Sequence, residues 1–169
     1  TIYMSPRGRK LSQETAEELA GEGELTILCG HYEGVDERAL TELSAEEISI
    51  GDYVLTGGEL PAMVLVDAVA RFIPGVLASD ESVLEESIYS GLLEYPQYTR
   101  PRTMEEGEVP EVLLSGDHKK INLWRFEQAM RLTRERRPDM WQKFVEKFRA
   151  DEKAYSKKER LLIESVIRD

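Results

Sequence analysis

The residues best placed to do chemistry in this 169-residue chain are glycines. They fall in three loops, Met4 to Gly8, Gly30 to Gly34 and Gly51 to Gly58, each following a short apolar run. Glycine lets backbone approach a bound molecule closely, and ligands of α/β sheets bind at loops beyond the strand C-termini. The chemistry this suggests is the holding of a small ligand by main-chain groups. Other routes fail on residue type or spacing. The sequence has no GxGxxG, no Walker loop and no HExxH, and neither His31 nor His118 has a convincing nucleophile beside it. It has no Cys/His cluster of the kind that holds zinc, so no metal site is expected. Glu85 and Glu86 are adjacent, so on any regular element they point apart and make a poor hydrolytic carboxylate pair. The single cysteine, Cys29, sits in the apolar run Leu25 to Cys29 and reads as a buried structural thiol. It excludes an internal disulfide framework and suits a reducing cytoplasm.

The elements that must position these loops follow from periodicity and turn signals. Thr1 to Ser5 reads as a strand closed by the turn signal Pro6-Arg7-Gly8. Ser12 is suited to cap a helix running to about Gly21, with Glu14, Glu17 and Glu18 near its positive end. Glu24 to Cys29 reads as a buried strand, Val35 to Leu43 as a short helix and Ile48 to Ile50 as a short strand. A helix opens at about Leu60, with Pro61 in its first turn, and is apolar nearly all round to Phe72. Such a helix is either a core element or a subunit interface. Strands alternating with helices predict an α/β layer with a largely parallel sheet.

Beyond this the pattern changes. Residues 1–77 form the α/β part; 78–112 read as a linker, acidic and punctuated by Pro96, Pro101 and Pro110; 113–169 read as a small helical domain. Its helices are predicted over His118 to Arg137, from Pro138, and over Ser156 to Asp169. The net charge of −11 is divided unevenly, with 6 Lys and Arg against 19 Asp and Glu in residues 1–100. From His118 onward the count reverses to 15 against 9, the balance of a unit that meets a polyanion or of a salt-bridged helical surface. No apolar run approaches the roughly 20 residues that cross a bilayer, so no membrane partner is expected.

Five strings carry more than composition. They are YMSPRGRKL (3–11), CGHYEGVDER (29–38), the stretch from Ser49 to Leu77 containing GDYVLTGGELP, GLLEYPQYTRP (91–101) and LLSGDHKKINLWR (113–125). In this order they resemble the bacterial tRNA (guanine-37-N1)-methyltransferases of the SPOUT superfamily, from Tyr3 to about Asp139. The last thirty residues resemble the family only loosely. The resemblance implies a deep trefoil knot in the α/β domain, S-adenosylmethionine as methyl donor, a requirement for magnesium, and a homodimer that acts on the anticodon loop of tRNA. It marks Tyr3, Met4, Gly30, Tyr32, Glu33, Ile50, Gly51, Asp52, Tyr53, Val54, Leu55, Gly57, Gly58 and Pro61 as the cofactor pocket.

For catalysis the resemblance implies a linker carboxylate that takes the guanine N1 proton and an arginine that steadies O6. Arg71 matches the arginine, although an ion pair with Asp67 one turn earlier would also account for it. The family's aspartate position is held here by Glu86, one methylene longer, with Glu85 as its immediate rival. The basic tail then gains a use: His118, Lys119, Lys120, Arg125, Arg131 and Arg134 are expected to contact tRNA phosphates. Family members extend well upstream of Tyr3, so the sequence reads as an N-terminally incomplete member. The second reading is a catalytically inactive RNA-binding fragment of the same fold.

Overall fold

The computed structural model describes residues 1–76 and 91–169. The chain divides into two compact units, 1–83 and 84–169. In the first, a three-stranded parallel sheet has the order β2-β1-β3, with β1 (Ile2–Lys10) between β2 (Ile27–Leu28) and β3 (Glu46–Ser49). Helix α1 (Gln13–Ala20) joins β1 to β2, and α2 (Glu37–Glu42) precedes β3. Helix α3 (Glu59–Ala70) follows the Gly51–Gly58 loop.

Local signals place the helices where the sequence predicts them. The Ser12 hydroxyl accepts from the Thr15 N–H at 3.3 Å and starts α1, and Gly21 ends it. Asp36 caps α2 by accepting from the Arg38 N–H at 2.9 Å. Ile2 and Met4 point into a core with Ala16, Leu19, Ile48, Leu65 and Val69. Full burial of a side chain such as Ile48 or Leu65 stabilises by roughly 1.5–3 kcal/mol each.

Three strands differ from expectation, β3 by running Glu46–Ser49 rather than Ile48 to Ile50 because Glu46 and Glu47 pair with Ile2 and Tyr3. Pro6-Arg7-Gly8 does not end β1, because Met4 and Arg9 both stand opposite Ile48 and the four residues between them bulge out of the ladder. The chain then resumes pairing to Lys10, and the Leu11 N–H reaches the Ser49 carbonyl at 2.8 Å. A side chain on Gly8 would overlap the backbone of Glu47 and Ile48, which explains glycine at the foot of the bulge. The second strand is confined to Ile27–Leu28, since Cys29 and Gly30 turn to meet Gly58.

In the second unit a small antiparallel ribbon, β4 (Thr103–Met104) with β5 (Gly107–Glu108), precedes the short α4 (Glu111–Leu114). Three longer helices follow, α5 (His118–Arg136), α6 (Pro138–Ala150) and α7 (Lys157–Arg168). Pro138 opens α6 where its missing N–H is free of cost. Ser156 and Glu159 form a capping box at the start of α7. Their core joins Met130, Phe144, Phe148, Ile163 and Val166 to Leu92, which comes from the stretch before the ribbon. Fully buried Thr133 ties that stretch down, accepting from the Leu93 N–H at 2.7 Å while donating to the Ala129 carbonyl at 2.6 Å.

Two outcomes test this packing by thermal unfolding. Gly8→Ala must push β3 aside and should destabilise the chain by about 1–3 kcal/mol, whereas Gly23→Ala, with open space at its Cβ, should stay within about 0.5 kcal/mol. Thr133→Val strands the Leu93 N–H and should cost about 1–3 kcal/mol, with Thr133→Ser restoring most of it.

Candidate functional site

Because β1 lies between β2 and β3, the loops leaving β2 and β3 fall on opposite sides of it. This reversal of strand order opens a crevice, the place where ligands of open parallel sheets bind. The cleft has a volume of about 420 Å³. Its base is Tyr3 and Met4 with the bulge Ser5 to Arg7, and its sides are Gly30 to Val35 and Ile50 to Gly58 without Asp52. Glu37, Ile48, Ser49 and Pro61 complete it.

The walls touch through backbone. The Gly58 N–H donates to the Gly30 carbonyl at 3.0 Å, and His31 bridges to Gly57. A Cβ on Gly58 would lie 2.7 Å from Cys29 Cα, and one on Gly30 would lie 2.8 Å from the Tyr3 hydroxyl. The Gly58 approach, backbone on backbone, tolerates no side chain, whereas one on Gly30 would displace the end of the Tyr3 ring. Tyr32 is a non-glycine residue at φ 54° with its ring fully exposed at the rim. Backbone strain of this kind, on the order of 1–3 kcal/mol, concentrates at ligand clamps.

Charges line the mouth. Arg7 donates to Glu47 at 2.9 Å and Glu37 at 3.2 Å, and these carboxylates hold its guanidinium pKa above the ordinary value. Glu59 begins α3 and pairs with His31 Nε2. The Glu59 carboxyl is held below the usual range, first by its own N–H at the helix start and then by His31. Burial, then the Glu59 charge, pushes the half-buried Cys29 thiol up.

Every cofactor position marked by the resemblance lines this cleft except Asp52, whose carboxylate instead accepts from Lys10 Nζ at 2.6 Å. Arg7, His31 and Glu37 line the cleft as well, and Glu59, directly after Gly57-Gly58, stands beside it on His31; no motif or spacing in the sequence singles out Glu37 or Glu59. Arg71 caps the C-terminal end of α3, half-buried and outside the cleft lining. Glu86 and its rival Glu85 lie outside the described residues. Among the described residues, no group of three or more His, Cys, Asp and Glu stands close enough to hold a metal ion, and no helix is long and apolar enough to cross a membrane.

In the second unit the basic residues divide. His118, Lys119 and Lys120 are exposed in the first turn of α5, with Lys120 Nζ 3.2 Å from Asp117. Arg125 stacks its guanidinium 4.7 Å above the Tyr95 ring, and its Nε is buried without a partner. Arg131 is held between Glu127 at 3.0 Å and Asp169 at 2.9 Å, and Arg134 donates to the Val166 carbonyl at 2.8 Å. Those two arginines brace α7 against α5.

Fold and cleft together describe an α/β unit with a cleft at a sheet switch point, followed by a helical unit that is basic from His118 onward. The sequence of residues 1–143 matches the family model described as tRNA (Guanine-1)-methyltransferase TrmD, and the chain belongs to that family. It is 56% identical over 165 residues to a tRNA (guanine-N(1)-)-methyltransferase of Alkaliphilus oremlandii, covering 98% of this chain and 63% of the relative. A protein of the same name from Chlamydia pneumoniae is 58% identical over 152 residues, or 90% of this chain and 42% of the relative. The chain thus spans less than two thirds of the length of these relatives.

The lone cysteine reports on the cleft wall. Glu59→Gln removes the negative charge that opposes the Cys29 thiolate, so the pH midpoint of alkylation by iodoacetamide should fall. Burial persists in the variant, so the midpoint should remain above that of a free cysteine. An unchanged midpoint would mean that the Glu59 charge does not reach Cys29.

Proposed function

We propose that this chain carries the cofactor site and catalytic arginine of an enzyme that transfers a methyl group from S-adenosylmethionine to N1 of guanine 37 in tRNA. The observation that carries this reading is the gathering of Gly30, Tyr32, Glu33, Gly51, Leu55, Gly57 and Gly58 from separate loops into one cleft at the strand reversal. The donor set fits the cofactor. Met4, Ile50, Leu55 and Pro61 offer apolar surface to an adenine ring, and the glycine loops offer main-chain donors and acceptors without obstructing side chains. Glu33 and Glu37 put negative charge beside a ligand that is itself cationic at sulfur.

When bound there, S-adenosylmethionine supplies an electrophilic methyl group. The chain's own part is to move a proton and steady a charge. Glu86 would accept the N1 proton of guanine, leaving the N1 lone pair free to take the methyl carbon as its bond to the sulfonium sulfur breaks and the sulfur keeps the electron pair. The Arg71 guanidinium, at the C-terminal end of α3, would steady the negative charge gathering on O6 within the homodimer. The base must leave its stack to reach the cleft, and exposed Lys119 and Lys120 meet the RNA backbone.

The enzyme works as a homodimer in this reading, with the knotted SPOUT topology that the family resemblance implies. Support for the dimer comes from α3, which leaves Leu60, Met63, Val64 and Val66 exposed on the side away from its buried Leu65 and Val69. An apolar face of that kind is covered in a stable protein.

Calorimetric titration with S-adenosylmethionine should give saturable binding to the chain, weakened about ten- to hundred-fold by Gly57→Val, which crowds the cleft. Arg71→Ala and Glu86→Gln should each slow methyl transfer to guanine-37 tRNA by about 10²–10³-fold while leaving cofactor affinity unchanged. No binding by the folded chain, or full turnover by both variants, would overturn the proposal.

A further inference from the structure

Helices α5 and α7 lie side by side and run in the same direction. Arg131 reaches Asp169 near the end of both, while Lys120 and Lys158 line one groove near their beginnings. That groove encloses about 490 Å³. Its walls are apolar, formed by Leu123 and the half-buried Trp124 on α5 and by Leu161 and Leu162 on α7, and Leu161 is 57% exposed. The α7 wall lies beyond residue 143, outside the stretch that matches the family model.

Positive side chains crowd this end of both helices. A helix N-terminus is positive and favours carboxylates in its first turn, yet α5 opens with His118, Lys119 and Lys120 and has no acidic residue there. Helix α7 opens with Lys157 and Lys158, followed in its first turn by the capping Glu159. The nearby carboxylates are occupied, Asp117 and Glu159 as caps and Glu127 on Arg131. Among the described residues no ion pair engages Lys119, Lys157 or Lys158, and all three are exposed. Four lysines, Lys119, Lys120, Lys157 and Lys158, thus meet two carboxylates, Asp117 and Glu159, at the same end of two packed helices. The partner that relieves this surplus is anionic.

We infer that the α5–α7 groove is a single-stranded RNA site in which an unpaired base stacks on Trp124 against Leu161 while its flanking phosphates meet Lys120 and Lys158. An aromatic face beside lysines suits unpaired nucleic acid, whose every base has a π-face and whose every link carries a charge. This rests on the reading of the helical unit as RNA-binding but moves its centre. Arg131 and Arg134 stay in the scaffold, and the contacts shift to exposed Lys120, whose ion pair with Asp117 lies at the surface, and to Lys158, which no ion pair or cap consumes.

The test uses fluorescence. In the full chain carrying Trp141→Phe, Trp124 is the only tryptophan. Titration with a single-stranded RNA heptamer should quench its emission. Lys158→Glu and Leu161→Glu, both at exposed positions, should weaken binding roughly ten-fold or more with unchanged melting temperature. Lys158→Arg should restore binding to the parent level. RNA binding with no change in Trp124 emission and no effect of either variant overturns the groove while leaving the unit an RNA binder. No RNA binding by the folded chain overturns both, and the cofactor titration then decides the methyltransferase reading separately. Self-association abolished by Leu161→Glu while RNA affinity is unaltered would assign the groove to a protein contact and overturn the proposal.

Discussion

Backbone packed directly on backbone holds the first unit in shape. Gly8 lies flat against Glu47 and Ile48 where β1 leaves and rejoins the ladder, and Gly58 rests on Cys29 and Gly30 with its N–H on the Gly30 carbonyl. At each point a single carbon atom more would force the chains apart. The first contact sets the bulge that brings Ser5 to Arg7 over the cleft, and the second fixes the distance between the two loops that wall it. The volume available to a ligand is therefore set by the absence of side chains, and polar groups of the main chain are left facing it.

The second unit uses a different device. Its helices meet through Met130, Phe144, Phe148, Ile163 and Val166, and aromatic contacts such as Phe148 on Tyr155, at 5.5 Å between centroids, lock the turn before α7. Arginines supply the remaining rigidity. Arg134 satisfies the Val166 carbonyl near the end of α7, where carbonyls have no helical partner, and Arg131 joins the last residue to α5. Arg125, Arg131 and Arg134 are thus held inside the unit, while Lys119, Lys120, Lys157 and Lys158 stand exposed at the opening turns of α5 and α7.

The proposed chemistry asks each unit for one of these properties. A cationic sulfur ligand is served by an acidic unit with open main-chain groups, and a folded RNA by the basic stretch from His118 onward. Methyl transfer needs few protein groups beyond positioning, a base and one cation, which accords with a cleft that contains no obvious nucleophile. Cys29, half-buried with its thiol pushed up by burial and by Glu59, is kept out of that role.

The sequence by itself determined the local elements and the three loops. Capping chemistry is short-range, so Ser12, Asp36, Pro138 and Ser156 announce their helices directly. The glycine loops were legible for the same reason, and family strings extended them to residues such as Tyr32 and Leu55 that no periodicity singles out. Tertiary structure decided what depends on distant partners. Pro6-Arg7-Gly8 reads as a turn until β3, forty residues on, pairs with both its flanks. Asp52 belongs to a marked string, yet Lys10 draws its carboxylate away from the cleft. Arg131 and Arg134 look like any basic residues of the tail, and only packing of α7 beside α5 separates bracing arginines from free lysines. Side-chain type is written in the sequence, whereas what a charge is paired with is fixed by which helix lies across from it.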